Sequence, residues 1–367
     1  MAPLEPWEKV LVSEEYTTTL HGFLRCTYCH GGMQEATDKE AAHKDLVANP
    51  IVDAEALCGE CHEDIVSTYS TALHNTQAGY WTQIDARSVP ENHENLEEMF
   101  GNHCGTCHTS CGECHISQPE NVGGGLLDGH LFVKTPPMTR TCTACHGSRV
   151  GNEYLGKNEE IPGDVHFRTG RMNCVSCHTG GEMHATEEDA ASHRYAGDPA
   201  VECTDCHQVG GSNETIPQHA IHGNDLSCQV CHSVQYTSCD NCHVAVSDKT
   251  GNAFFKTDAT YLGFYIGLNT RKSADRPYDY VTVRHIPIAP DSYSYYGENL
   301  LPNFNAMPTW AYATPHNIQR VTPQNQSCDS CHGNPELFLT ADKVAEEELE
   351  ANQSVIVPQP PDPVGGQ

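Results

Sequence analysis

All twenty cysteines of this chain fall into ten copies of one five-residue pattern, Cys-x-x-Cys-His, and none is left over. The copies are Cys26-Cys29-His30, Cys58-Cys61-His62, Cys104-Cys107-His108, Cys111-Cys114-His115 and Cys142-Cys145-His146, then Cys174-Cys177-His178, Cys203-Cys206-His207, Cys228-Cys231-His232, Cys239-Cys242-His243 and Cys328-Cys331-His332. In HCGTCHTSCGECH, residues 103–115, two copies stand with only Thr109 and Ser110 between them. Any fold for this chain must give ten such triplets a chemical purpose.

An even cysteine count in an exported chain ordinarily suggests disulfides. The invariable His after the second Cys argues otherwise. C-x-x-C-H is the attachment signature of c-type haem. Each thiol adds to a porphyrin vinyl group, and the histidine supplies an axial nitrogen to iron. Zinc sites vary their Cys/His spacing and rarely fuse the His to the second Cys. A thioredoxin-like dithiol needs a βαβ context, which is lacking. The expected cofactors are therefore ten haem c groups and their iron.

There are 23 histidines, so thirteen lie outside the motifs. Ten irons with two axial histidines each would use ten of them. The candidate distal ligands are His21, His43, His74, His103, His130, His166, His184, His193, His219, His222, His285 and His316, with His93 as the alternative to His103. For each, an ordinary surface or core histidine is the competing reading. The seven methionines read as packing residues. His103 adjoins Cys104, which would be tethered to its own porphyrin, so His103 is expected to ligate a different haem. His108 and His115 are seven residues apart: about 10.5 Å on one side of a helix, or roughly 23 Å if the segment is extended.

Nine motifs lie within residues 26–243, separated by Gly-, Pro-, Asn- and Asp-rich segments that signal turns. The expected fold has few regular elements: a haem-packed, mostly irregular chain with short α-helices and a small β-hairpin module. Four regions are expected: a nine-haem array over 1–243, a haem-free aromatic-rich β-containing segment over 244–327, the tenth haem site with an acidic helix over 328–353, and a proline-rich tail over 354–367. In 244–327 the alternating stretches ATYLGFYIGL and YDYVTVRHIPIA predict strands that cap the array. TADKVAEEELEAN (340–352) predicts an acidic helix capped by Thr340. The tail after it predicts strand addition to a neighbouring subunit.

MAPLEPWEKV does not read as a signal peptide, and no run of 18 apolar residues predicts a membrane span. Haem attachment to C-x-x-C-H takes place outside the cytoplasm. The protein is therefore expected to be exported, extracellular or at the cell surface and otherwise periplasmic, with its signal peptide removed. The formal charge is −29. That argues against nucleic acid and anionic membrane surfaces as partners, because phosphate binding needs clustered Lys and Arg.

The fused pair CGTCHTSCGECH, with CTACHGSRVGNEYLG, DVHFRTGRMNCVSCH, LSCQVCH and PTWAYATPHNIQ, resembles the large exported multihaem c-type cytochromes, here a decahaem member. The resemblance implies extracellular electron transfer, with redox proteins or extracellular acceptors as partners. In some members it implies identical subunits joined head to tail in filaments. Two alternatives stand beside that reading: a multihaem oxidoreductase of nitrite, hydroxylamine or tetrathionate type with one open-site haem, and a soluble periplasmic electron shuttle. Each ferric haem with two histidines and two propionates adds about −1, and about −2 when reduced, so electron entry deepens an already large negative charge. Reduction potentials measured over a range of pH and ionic strength should therefore move with both; potentials indifferent to both would contradict the coupling.

Overall fold

Most motifs sit on single helical turns. Cys26–His30, Cys111–His115 and Cys228–His232 are α-helical, as is Cys142–Cys145. Cys174–Ser176, Cys203–Asp205 and Cys328–Ser330 are 3-10 turns. One turn suits the pattern, because residues three and four apart share a helix face. Both thiols and the histidine then address the same side. The computed structural model describes residues 4–105, 109–186, 201–209, 215–223, 225–234, 236–262, 264–274 and 276–364, with the backbone alone for 148–149, 236–243 and 255–262. Within it no helix exceeds the eleven residues of Gly59–Tyr69 and His93–His103. Among the described residues, no helix is long and apolar enough to cross a membrane.

The strands form two small antiparallel sheets. The first pairs β1 (Tyr236–Val246) with β2 (Ala253–Leu262), and its register slips between Asp240 and His243. Sheet structure thus begins ahead of the ninth motif, at Tyr236, and β1 runs through the whole of that motif. The second sheet has the order β3 (Tyr265–Leu268), β4 (Tyr280–His285), β5 (Trp310–Tyr312). Of the two stretches expected as strands, YDYVTVRHIPIA supplies β4, while ATYLGFYIGL is divided between the end of β2 and β3, which belong to different sheets; β3 and β4 pair as a hairpin and β5 adds a third strand. Val281, Thr282 and Val283 are all buried, so β4 is covered on both faces.

The cover comes from the C-terminal segment. Val281, Val283, Trp310, Leu339, Val344 and Val355 form one apolar cluster, and Val230, Ile266, Phe338 and Val357 form another. Val355 and Val357 alternate with Ile356 and point inward, each burial contributing about 1.5–3 kcal/mol. The tail is also tied by backbone bonds: Leu268 N–H donates to Val355 O, Val357 N–H to Leu339 O and Gly333 N–H to Pro361 O, each 2.8 Å. Residues 355–361 thus lie along the chain's own backbone. The expected acidic helix is broken into Ala341–Lys343, Glu346–Glu348 and Leu349–Asn352. The break falls at Val344, whose extended backbone accompanies a side chain buried in the core.

The described chain divides into two compact units, discontinuous in sequence: 1–80 with 104–145 and 174–200, and 81–103 with 146–173 and 201–367. In the second unit Arg87 is fully buried and acts as a clasp. Its Nε donates to Phe304 O (2.8 Å), Nη1 to Gln83 O and Oε1 (3.0 and 2.9 Å), and Nη2 to Pro308 O (3.0 Å). Ser88 Oγ donates to Leu300 O at 2.8 Å beside it. Removing a buried donor strands its acceptors at about 1–3 kcal/mol each. Arg87→Leu should cost about 3 kcal/mol or more in chemical denaturation; a loss below about 1 kcal/mol would show that water replaces the clasp.

Candidate haem centres

The structure brings motif histidines together with histidines from outside the motifs. In the first unit His62 lies opposite His21, with ring centroids 6.2 Å apart and planes 19° apart. His30 lies opposite His130 at 6.1 Å and 59°, and His115 opposite His184 at 6.0 Å and 18°. In the second unit His207 faces His166 at 5.9 Å and 64°. His232 faces His219 at 6.2 Å and 61°, and His332 faces His222 at 6.1 Å and 35°. Two metal–nitrogen bonds of about 2 Å each, plus the distance from each nitrogen to its ring centre, give roughly 6 Å between centroids. The six spacings therefore fit one metal atom between each pair of rings. His74 is buried near His178 and His184.

His219 and His222 stand three residues apart on the helix Pro217–His222 and face two different motifs. That one-turn spacing is legible in PQHAIH, but which histidine served which motif was not.

A histidine has two ring nitrogens, and several of these rings have Nδ1 occupied. His30 Nδ1 bonds Val47 O (2.9 Å), His115 Nδ1 bonds Val133 O (2.7 Å), His232 Nδ1 bonds Gln319 O (3.1 Å) and His332 Nδ1 bonds Asp362 O (3.2 Å). His166 Nδ1 bonds the Asp164 carboxylate (2.8 Å) and His178 Nδ1 that of Glu182 (3.0 Å). Carbonyls and carboxylates only accept, so Nδ1 carries the proton and Nε2 keeps its lone pair for a metal. Burial holds His21, His74, His130 and His184 below the ordinary histidine range. Their rings are then neutral near pH 7, the form a metal needs.

Seventeen cysteines have described side chains, and these are thiols, not disulfides. Burial pushes Cys114 and Cys231 up to about 11, the reverse of an activated nucleophile, whereas hydrogen bonding to Cys174 and Cys203 lowers Cys142 and Cys228. Neighbouring motifs meet through them: Cys142 lies against Cys174, and Cys203 against Cys228. Among the described residues no group of three or more His, Cys, Asp or Glu side chains converges as a metal-ion site. The motif pairs do not require one, since each supplies only two nitrogens.

Other candidates have different surroundings. His103 Nε2 meets the Tyr296 hydroxyl at 2.7 Å. His93 Nε2 is buried without a hydrogen-bond partner. His316 has its Nδ1 on Thr314 O (2.8 Å), and its backbone N–H donates to Glu153 (3.2 Å), which burial pushes up to about 8. His43 caps the short helix Lys39–Ala42. Cys107, His108 and His193 lie outside the described residues, as do the side chains of Cys239, Cys242 and His243. The segment joining the fused motifs is not one helix. Ser110 is extended and caps Cys111–His115 through Glu113, and the space at Gly112 is taken by the Ile51 side chain.

His285 stacks on Trp310 and offers Nε2 to Glu348 at 3.0 Å. Glu348 also accepts from Thr309 at 2.7 Å. Burial alone would raise its carboxyl, but these bonds and the nearby Arg87 charge leave it below the ordinary 4.5. A depressed carboxyl stabilises the fold above its unfolded value, and that stability is lost as pH falls through the folded one. Melting followed from neutral pH to about pH 3 should therefore fall less steeply for Glu348→Gln than for the parent; parallel curves would show that the carboxylate contributes nothing.

Comparison with protein-family models, with curated proteins and with solved structures finds no match to this chain.

Proposed function

We propose that this protein is an electron carrier built on ten covalently attached c-type haems, most of them held between two histidines. The observation that carries the reading is the set of six motif histidines, each facing a second histidine at 5.9–6.2 Å. Haem iron supplies one-electron redox chemistry and, with two histidines, favours low potentials.

The chain's own residues do the rest. The paired thiols of each motif fix one edge of a porphyrin. The Nδ1 bonds to Val47, Val133, Gln319 and Asp362 orient the motif rings. Two histidines at one iron leave no position for a substrate, which favours a carrier over a catalyst. His93, with its buried unpartnered Nε2, is a better ligand than His103, whose Nε2 is engaged by Tyr296. Meetings of Cys142 with Cys174 and of Cys203 with Cys228 support close spacing of neighbouring groups within each unit. Close spacing suits hopping. Export, delivery of electrons to a protein or extracellular acceptor, and head-to-tail assembly belong to the same proposal.

Mass spectrometry of the exported protein should give the polypeptide plus ten haems, and its EPR spectrum should be low-spin throughout. The ring planes fall into two groups, 18–35° and 59–64°, so rhombic and highly anisotropic low-spin signals should both be present. His219→Ala should convert one centre to high spin and leave the centre of His222 low-spin. A preparation without covalent haem would overturn the proposal, and a ligand-binding high-spin centre in the parent would favour the oxidoreductase. Negative-stain images of native material would distinguish fibres from discrete particles.

A further inference from the structure

Where the Nδ1 atom of a site histidine is hydrogen-bonded, the partner is one of two kinds. At His30, His115, His232 and His332 it is a neutral backbone carbonyl. At His166 and His178 it is a carboxylate. Orienting a ring does not require the charge, since four carbonyls do it. We infer that Asp164 and Glu182 are tuning residues, which set the centre of His166 with His207 and the centre of His178 at lower potentials than the centres whose motif histidines bond carbonyls. The inference rests on the reading that these histidines are iron ligands.

A carboxylate on Nδ1–H draws that proton toward itself and makes Nε2 a stronger donor. Stronger donation and a nearby negative charge both favour the ferric state over the ferrous one, so the potential falls. Asp164 is built for this. Its side chain is 3% exposed, so little water screens the charge. Its position is fixed by three donors: His166 N–H at 2.7 Å and His166 Nδ1 at 2.8 Å on Oδ1, and Ile318 N–H at 2.7 Å on Oδ2. Glu182 stands four residues after His178, in the helix Gly180–His184, and is 28% exposed, so its effect is the weaker one. In a chain of otherwise similar centres, the two carboxylate-bonded ones fill last on reduction.

The test is spectroelectrochemistry of the purified holoprotein, after its haem content has been counted. Asp164→Asn and Glu182→Gln each remove one charge and keep an acceptor oxygen. Asp342→Asn, at an exposed position, removes the same charge away from these histidines. Asp164→Asn should move one component of the reduction curve upward by at least a tenfold change in its ferrous/ferric ratio, about 59 mV for one electron. Glu182→Gln should move another component upward by less, and Asp342→Asn should single out none. Curves for both site variants that superimpose on the parent or on Asp342→Asn, with all ten haems present, would overturn the inference. Should Asp164→Asn lose haem, Glu182→Gln decides alone: a raised component upholds the inference and an unmoved curve overturns it. A parent protein with no covalent haem would overturn both this inference and the reading beneath it.

Discussion

An imidazole can offer a lone pair on only one nitrogen at a time, and the proton must be kept on the other. The hydrogen bonds from Nδ1 of His30, His115, His232 and His332 to backbone carbonyls meet that requirement. Because the acceptors are backbone atoms from segments far along the chain, each ring's orientation depends on the path of a loop. Val133 serves His115 from 18 residues away, and Gln319 serves His232 from 87. Irregular chain of this sort is ordered because its carbonyls are in use.

Two apolar clusters gather around β3, β4 and the C-terminal segment, and Leu96, Met99, Leu127, Leu300 and Leu301 are buried outside them. Polar clasps such as Arg87 add to these apolar contacts. Many large apolar side chains in residues 7–52 are exposed, Leu20 and Phe23 among them. Under the proposed reading, haem rings would cover part of such surface.

Part of this was legible in the sequence, because the repeated motif is as short as one helical turn. Cys-x-x-Cys-His fits one helical turn, so the motif itself predicts its local structure, as Cys26–His30 and Cys228–His232 adopt. The strands at Tyr265–Leu268 and Tyr280–His285 were legible from period-two alternation. The pairing of His62 with His21 or His332 with His222 was not, because it depends on how distant loops return. The break of the acidic helix was hidden too: helix-forming glutamates surround Val344, whose burial overrides their propensity. At Ser110 a strong capping residue, followed three positions later by Glu113, argued for a new helix start; the repeat of the motif obscured it.

The carbonyl that orients His332 belongs to Asp362, thirty residues downstream, and Gly333 is tied to Pro361 in the same stretch. Under the proposed reading, a chain cut before residue 362 could still receive its haem at Cys328 and Cys331, yet its histidine would lose the carbonyl that sets its orientation.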